Sequence, residues 1–255
     1  MNVLEISSIS DLVRKIDELI QKTNGRFWFR GHSKEEWDLL PTIRRGYTKK
    51  QEQYLSNEFR VRAGTRYHSC PDEGNYSDWL SLMQHFGLPT RLLDWTRSPL
   101  VAAFFATEHL QRHSTHDADE ITSDACVWIL YPRSLNIAQG FEPYLYPLNA
   151  RSLQYLIKPA IKGEDQSDKV VATMAVETDP RMQMQQGAFT VHTSEIALNN
   201  IPGNEDWLYK VIIPAVAIKP MARELDIMGF TRASLFPDLD NLALELKGIH
   251  RPRTT

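Results

Sequence analysis

Residues 98 to 111, SPLVAAFFATEHLQ, set the tightest condition this chain places on its own fold. Ser98 offers a side-chain oxygen for a helix N-cap, and Pro99 suits the first helical position, where its missing N–H costs nothing. The turns that follow are apolar on nearly every side, and a helix without a polar face has no side to turn to water. This helix must therefore be packed all round. The preceding TRLLDWT, 90 to 96, reads as a short strand, so strand and helix enter the interior together.

The remaining elements follow from periodicity. Leu12, Ile16, Leu19 and Ile20 in SDLVRKIDELIQK, 10 to 22, share one face of an amphipathic helix behind a capping serine, and FWFR follows as a strand. Helices are expected at 51 to 62, with Tyr54, Leu55, Phe59 and Arg62 on neighbouring rows, and at 76 to 86, closed by Gly87 and Pro89. CVWIL, AFTVHT and LYKVIIPAVAI predict three further strands, and 111 to 125 reads as an exposed polar loop. MARELDIMGF and FPDLDNLALELKG close the chain as helices, the second running from Pro237 to Gly248. Strands and helices alternate without a regular βαβ rhythm. The expectation is one α+β domain over 1–255, with a mainly antiparallel sheet, continuous or split, surrounded by helices.

Composition narrows the partners. The net charge of −3 argues against a protein that coats nucleic acid through bulk electrostatics. Residues 26 to 66 nevertheless hold ten Lys or Arg against five acids, a local +5 that suits a basic face or a solvated surface. There is no apolar run of about 18 residues and no basic start followed by an apolar block, so neither a membrane span nor a signal peptide is expected, and the cytoplasm is the expected location. Cys70 and Cys126 are too few for a disulfide framework. His109, His113 and His116 have metal-ligand spacing, but no carboxylate or cysteine framework joins them, and no metal is expected.

FWFRGHS, 27 to 33, raises the functional question. It drives a permanent cation out of what reads as a buried strand, and an unpaired buried charge is costly. Arg30 therefore needs an anion, either a carboxylate of the chain such as Asp94 or a charged ligand. Its planar fork of donors suits phosphate oxygens, and Gly31 leaves room for close approach. On the strand 90 to 96, residues 92, 94 and 96 share a face, so Asp94 and Thr96 are able to line a pocket floor together, with Trp95 as an aromatic surface or as core.

The segments FRGHS (29 to 33), W-x-L-x-P-T-I-R-R (37 to 45), QHFGLPTRLLDWTRSPLVAAFFA (84 to 106), QQGAF (185 to 189) and SLFPDLDNLA (234 to 243) together resemble the FRG-domain family of bacteria and their phages. The order of elements is also similar to that of toxin-type ADP-ribosyltransferases. Arg30-Gly31 would match the first motif of that superfamily, Asp94-Trp95-Thr96 leading into Ser98 the second, and Gln185-Gln186 before GAFTVH the third. At this last place the superfamily carries a glutamate and this sequence does not.

That second resemblance implies NAD as a substrate and a macromolecular acceptor, nucleic acid (RNA or DNA) slightly favoured over protein. It also implies a toxin or phage-defence role with an antitoxin protein as a further partner. Carried over by position, the catalytic residues would be Arg30, Thr96 and Gln186, and the NAD-binding ones Arg30, Gly31, His32, Arg91, Asp94, Trp95, Ser98 and Gln185. Breaking the bond to nicotinamide builds positive charge that a carboxylate stabilises and a Gln amide only orients. Three alternatives stay open: Glu177 or Glu195 fills that role, the acceptor supplies the base, or NAD is bound without turnover. A non-catalytic module that grips a nucleotide or a partner's carboxylate through Arg30 and Arg91, and a hydrolase built on Asp94 and His85, are the rival readings.

Overall fold

The computed structural model describes residues 2–108, 122–164, 166–175 and 180–250. His109, His113, His116 and Glu177 lie outside these residues. In chain order the elements are β1 (Asn2–Glu5), α1 (Ile9–Thr23), β2 (Trp28–His32), α2 (Lys49–Ala63), α3 (Tyr76–His85), β3 (Leu92–Thr96) and α4 (Pro99–Thr107). They continue with β4 (Ala125–Leu130), α5 (Pro132–Ala138), β5 (Tyr146–Pro147), α6 (Gln154–Ile157), β6 (Val170–Met174), α7 (Pro180–Met184) and β7 (Gly187–His192). The chain closes with β8 (Leu208–Ile213), α8 (Ala215–Ile227), α9 (Arg232–Leu235) and α10 (Leu239–Ile249).

The strands form one mixed, mostly antiparallel sheet in the order β1-β8-β4-β2-β3-β7-β6-β5, with parallel pairs only at its two ends. This is the α+β architecture expected from the sequence. Side-chain alternation divides the core between the two faces. Phe29 and Thr96 are direct partners, so β2 and β3 present the same face there, and on that face lie Phe27, Phe29 and Leu92. The opposite face carries Trp28, Leu93, Trp95, Trp128 and Leu130 in a separate cluster.

Helix α4 takes the place its composition demands. Ser98 accepts a hydrogen bond from the Val101 N–H, Pro99 opens the helix, and Val101, Ala102, Ala103, Phe104 and Ala106 are all buried. They pack between the sheet and a second helical layer made by Ile9, Leu12 and Ile16 of α1 and Ala217, Ile218, Met221 and Leu225 of α8. The approach to β2 is so close that a Cβ on Gly31 would meet the Ala102 carbonyl oxygen at 1.9 Å and the Ala106 nitrogen at 2.5 Å.

Several boundaries differ from the sequence reading. The cap of α1 is Ser8, which accepts from the Asp11 N–H. LYKVIIPAVAI is strand only as far as Ile213, because Pro214 ends the ladder and Ala215 to Ile218 already belong to α8, which accommodates Pro220 inside it. The last helix starts two residues later than expected, at Leu239: Asp238 caps α10 by accepting from the Asn241 N–H, and Arg232–Leu235 forms its own short turn. β1, β5 and β6 carry too little periodicity to be anticipated; VVATM of β6 is buried on both faces, and such a strand shows no alternation.

Candidate functional site

β2 pairs with β4 over five consecutive residues and β3 pairs with β7 over five, but β2 and β3 share the single pair Phe29↔Thr96. Past it the two strands part, and the sheet opens in its middle. The Arg30 guanidinium spans the gap. Its Nη1 donates to the Asp94 carbonyl at 2.6 Å and its Nε to His32 Nε2 at 3.1 Å, while the Asp94 carboxylate lies 4.0 Å away. Through its bond to the Asp94 carbonyl, Arg30 thus links β2 to β3 where the strands give up their ladder.

A cavity of about 520 Å³ lies at this opening, within the size range of about 300–1,000 Å³ common for small-molecule sites. Arg30, Gly31, His32, Asp94, Trp95 and Thr96 form its strand side, and Trp37, Arg45, Phe105, Glu108, Arg181 and Gln185 enclose the rest. A second, smaller cavity of about 80 Å³ adjoins it and shares Asp94, Trp95, Arg181 and Gln185. Ser81 lines the small cavity with a buried Oγ that has no hydrogen-bond partner among the described residues.

The electrostatics favour an anion. Three guanidinium groups face the large cavity, and their hydrogen bonds go to neutral acceptors. Arg45 donates twice to the Leu40 carbonyl, Arg181 donates to the His85 carbonyl at 3.3 Å, and Arg30 is bound as above. Among the described residues the one carboxylate within 4.0 Å of any of the three is Asp94. Burial lowers the pKa of Arg30, and the nearby Arg45 cation lowers it further against the opposing pull of Asp94. Burial, reinforced by Arg30 and Arg45, also pushes His32 down to about 3, so its ring is neutral. Because Arg30 Nε donates to Nε2, the remaining ring proton sits on Nδ1. An incoming anion therefore meets the guanidinium cations beside a neutral imidazole.

The two carboxylates at the cavity differ in availability. Glu108 is buried and ion-paired with Arg232, whose guanidinium stacks on Phe236; Arg181 lies over the same ring at 4.6 Å. The Asp94 side chain is 57% exposed. Its Oδ2 accepts from Gln84 Nε2 at 2.7 Å; Gln84 Oε1 is bound by the Thr90 hydroxyl, and Thr90 Oγ1 accepts the Leu92 N–H at 3.1 Å.

The residues expected at the site divide into two groups. Arg30, His32, Asp94, Thr96 and Gln185 converge on the cavity. Thr96 donates to the Gln185 carbonyl at 2.7 Å and accepts the Ser98 N–H at 3.0 Å, which ties β3 to the turn before β7. Gln186, expected as catalytic, faces solvent; it is exposed in the left-handed conformation at φ 48°, ending the turn after α7, and the residue that reaches the cavity is Gln185. Ser98 is the helix cap and does not line the cavity.

Arg91, expected to bind NAD, is fully buried elsewhere. Its Nε and Nη2 donate to both Glu52 oxygens at 2.8 and 2.7 Å, and its Nη1 donates to the Leu156 carbonyl. Glu195 is turned away from the cavity and pairs with Arg44 at 3.2 Å. Trp95 belongs to the core, 3% exposed with its indole N–H donating to Thr190, although it also lines the cavity. Gly31 lines the cavity, but its lack of a side chain is required by α4 rather than by a ligand.

Four wall residues escaped the sequence reading. Trp37, 45% exposed and edge-on to His32, supplies the accessible aromatic surface that Trp95 does not. A tryptophan between charged residues in EEWDLL, outside any apolar period, was the available signal. Arg45, Arg181 and Glu108 come from segments far apart in sequence, and nothing local marks them as neighbours.

Residues 25–115 match the family model described as the FRG domain. The match takes in the cavity wall from Arg30 to Glu108, whereas Arg181 and Gln185 lie beyond it. No curated protein and no solved structure matches the chain.

Proposed function

Starting from the match of residues 25–115 to the FRG-domain model, we propose that the opening between β2 and β3 binds a phosphate-bearing nucleotide, NAD, and that the chain transfers its ADP-ribosyl group to a macromolecular acceptor. The observation that carries the proposal is the set of three cavity arginines whose hydrogen bonds are spent on neutral acceptors. Guanidinium forks match phosphate oxygens in charge and geometry, and an anion bound here recovers the solvation that Arg30 gives up on burial.

In this reading Arg30, Arg45 and Arg181 hold the pyrophosphate, and the exposed face of Trp37 takes a planar ring by stacking. NAD supplies a glycosidic bond whose electron pair leaves with neutral nicotinamide. The acceptor's lone pair forms the new bond at the same carbon, and its proton passes to a base. Asp94 is suited to that last role, because Glu108 is already engaged by Arg232.

A second reading rests on the same residues. With Glu195 paired to Arg44 and Glu108 to Arg232, the cavity is equally suited to hold a nucleotide without turning it over. Calorimetric titration with NAD, alongside a chromatographic assay for free nicotinamide in the presence of nucleic-acid and protein acceptors, separates the two. Binding with release supports transfer. Binding without release supports the module. The variant Arg45→Ala with Trp37→Ala is expected to weaken binding at least about tenfold while leaving the melting temperature within a few degrees, as both side chains are exposed. Absence of NAD binding to the wild-type chain overturns both readings.

A further inference from the structure

We infer that Asp94, held in place by Gln84 and Thr90, is a ribose-recognising residue, so that the cleft selects ribonucleotides over deoxyribonucleotides and over inorganic phosphates. The inference rests on the nucleotide reading above and adds what the site distinguishes. Arginine forks bind any phosphate, so Arg30, Arg45 and Arg181 confer no preference among phosphate esters. Discrimination requires a group that meets the non-phosphate part of the ligand.

Asp94 has the geometry for it. It stands where the two cavities join, lining both. An anion at that place repels phosphate and attracts hydroxyl donors, and a ribose presents two adjacent hydroxyls to one carboxylate. Only one of its oxygens is occupied: Oδ2 accepts from Gln84 at 2.7 Å and has Arg30 at 4.0 Å, while Oδ1 has no hydrogen bond among the described residues. The carboxylate is also fixed in direction. Gln84 Nε2 holds Oδ2, the Thr90 hydroxyl holds Gln84 Oε1, and the Leu92 N–H holds Thr90, so the chain of bonds runs from the β3 backbone round to the β3 side chain. That closed path positions Oδ1 before any ligand arrives and reduces the ordering cost of binding. Glu108 does not offer the same service, since Arg232 occupies it.

The test uses the full chain and four probes by isothermal titration: ADP-ribose, two ADP-ribose analogues each lacking the 2′ and 3′ hydroxyls on one of its two riboses, and inorganic pyrophosphate. One of the two analogues is expected to bind about 10- to 100-fold more weakly than ADP-ribose, the range of a lost charge-assisted hydrogen bond. In Asp94→Ala that gap closes, with pyrophosphate binding unchanged or tightened. Gln84→Leu, which keeps the carboxylate but frees it, narrows the gap part of the way, and this ratio between two ligands is a readout that a merely structural role does not move. If ADP-ribose and both analogues bind alike, the ribose inference is overturned and the nucleotide reading stands. If neither ADP-ribose nor pyrophosphate binds, the nucleotide reading itself has failed.

Discussion

Gly31 offers the sharpest test of how this fold is held together. Replacing it with alanine puts a carbon 1.9 Å from the Ala102 carbonyl oxygen and 2.5 Å from the Ala106 nitrogen, both backbone atoms of α4. No rotamer relieves a clash with backbone. Ordinary C···O contacts settle at about 3.3 Å, so from 1.9 Å the helix must withdraw by roughly 1.4 Å. With nine residues at about 1.5 Å each, α4 is about 14 Å long, and at a packing width of about 9 Å the withdrawal opens roughly 170 Å³. At about 24 cal/mol per Å³ of unfilled core that is about 4 kcal/mol. Alanine's better strand propensity returns about 0.5–1 kcal/mol, leaving a loss of about 3 kcal/mol from a total of the order of 5–15 kcal/mol. Urea unfolding followed by circular dichroism and tryptophan fluorescence measures it as a fall in midpoint at constant slope. A Gly31→Ala chain as stable as wild type to within about 1 kcal/mol refutes the packing argument, and if that chain has lost only ligand affinity, the glycine serves ligand approach instead.

Two other outcomes follow from buried charge. Glu52, 1% exposed, is the two-oxygen partner of buried Arg91 and lies 3.6 Å from Arg44, which also pairs with Glu195, so Glu52→Ala removes the carboxylate that faces Arg91; a loss of about 3–5 kcal/mol by chemical denaturation is expected, and a neutral effect would count against the network as a structural tie. Burial first, and neighbouring arginines second, hold both His32 and His192 down to about 3. The unfolded chain takes up these protons near pH 6.5 and the folded chain only near 3, so stability is complete above about 6.5 and falls as the pH drops towards 3. At pH 5 the loss is of the order of 2 kcal/mol per histidine. Asp11, lowered from 3.8 to about 2 chiefly by its bond with Arg14, adds its own loss only as the pH falls below about 4. A denaturation midpoint that stays flat from pH 7 to 5 contradicts the assignment.

Much of this was legible in the letters because it is local. The N-cap at Ser98, the proline after it and the unbroken apolar run place α4 in the interior, and no other arrangement spares that helix from water. The antiparallel α+β class likewise follows from the irregular order of elements, and the sequence also marks Arg30 as a cation in need of an anion. Which anion it meets is a matter of distance. Arg91 and Arg30 both adjoin strand-like sequence, yet one is sealed against Glu52, 39 residues away, and the other opens on a cavity. Gln185 and Gln186 are adjacent letters, and the left-handed turn at Gln186 decides which of them faces the cavity. Above all, the parting of β2 from β3 is a property of neither strand, since each is fully paired on its other edge. Side-chain chemistry and period are written residue by residue, whereas the opening that collects Trp37, Arg45, Glu108 and Arg181 exists only once distant segments are packed together.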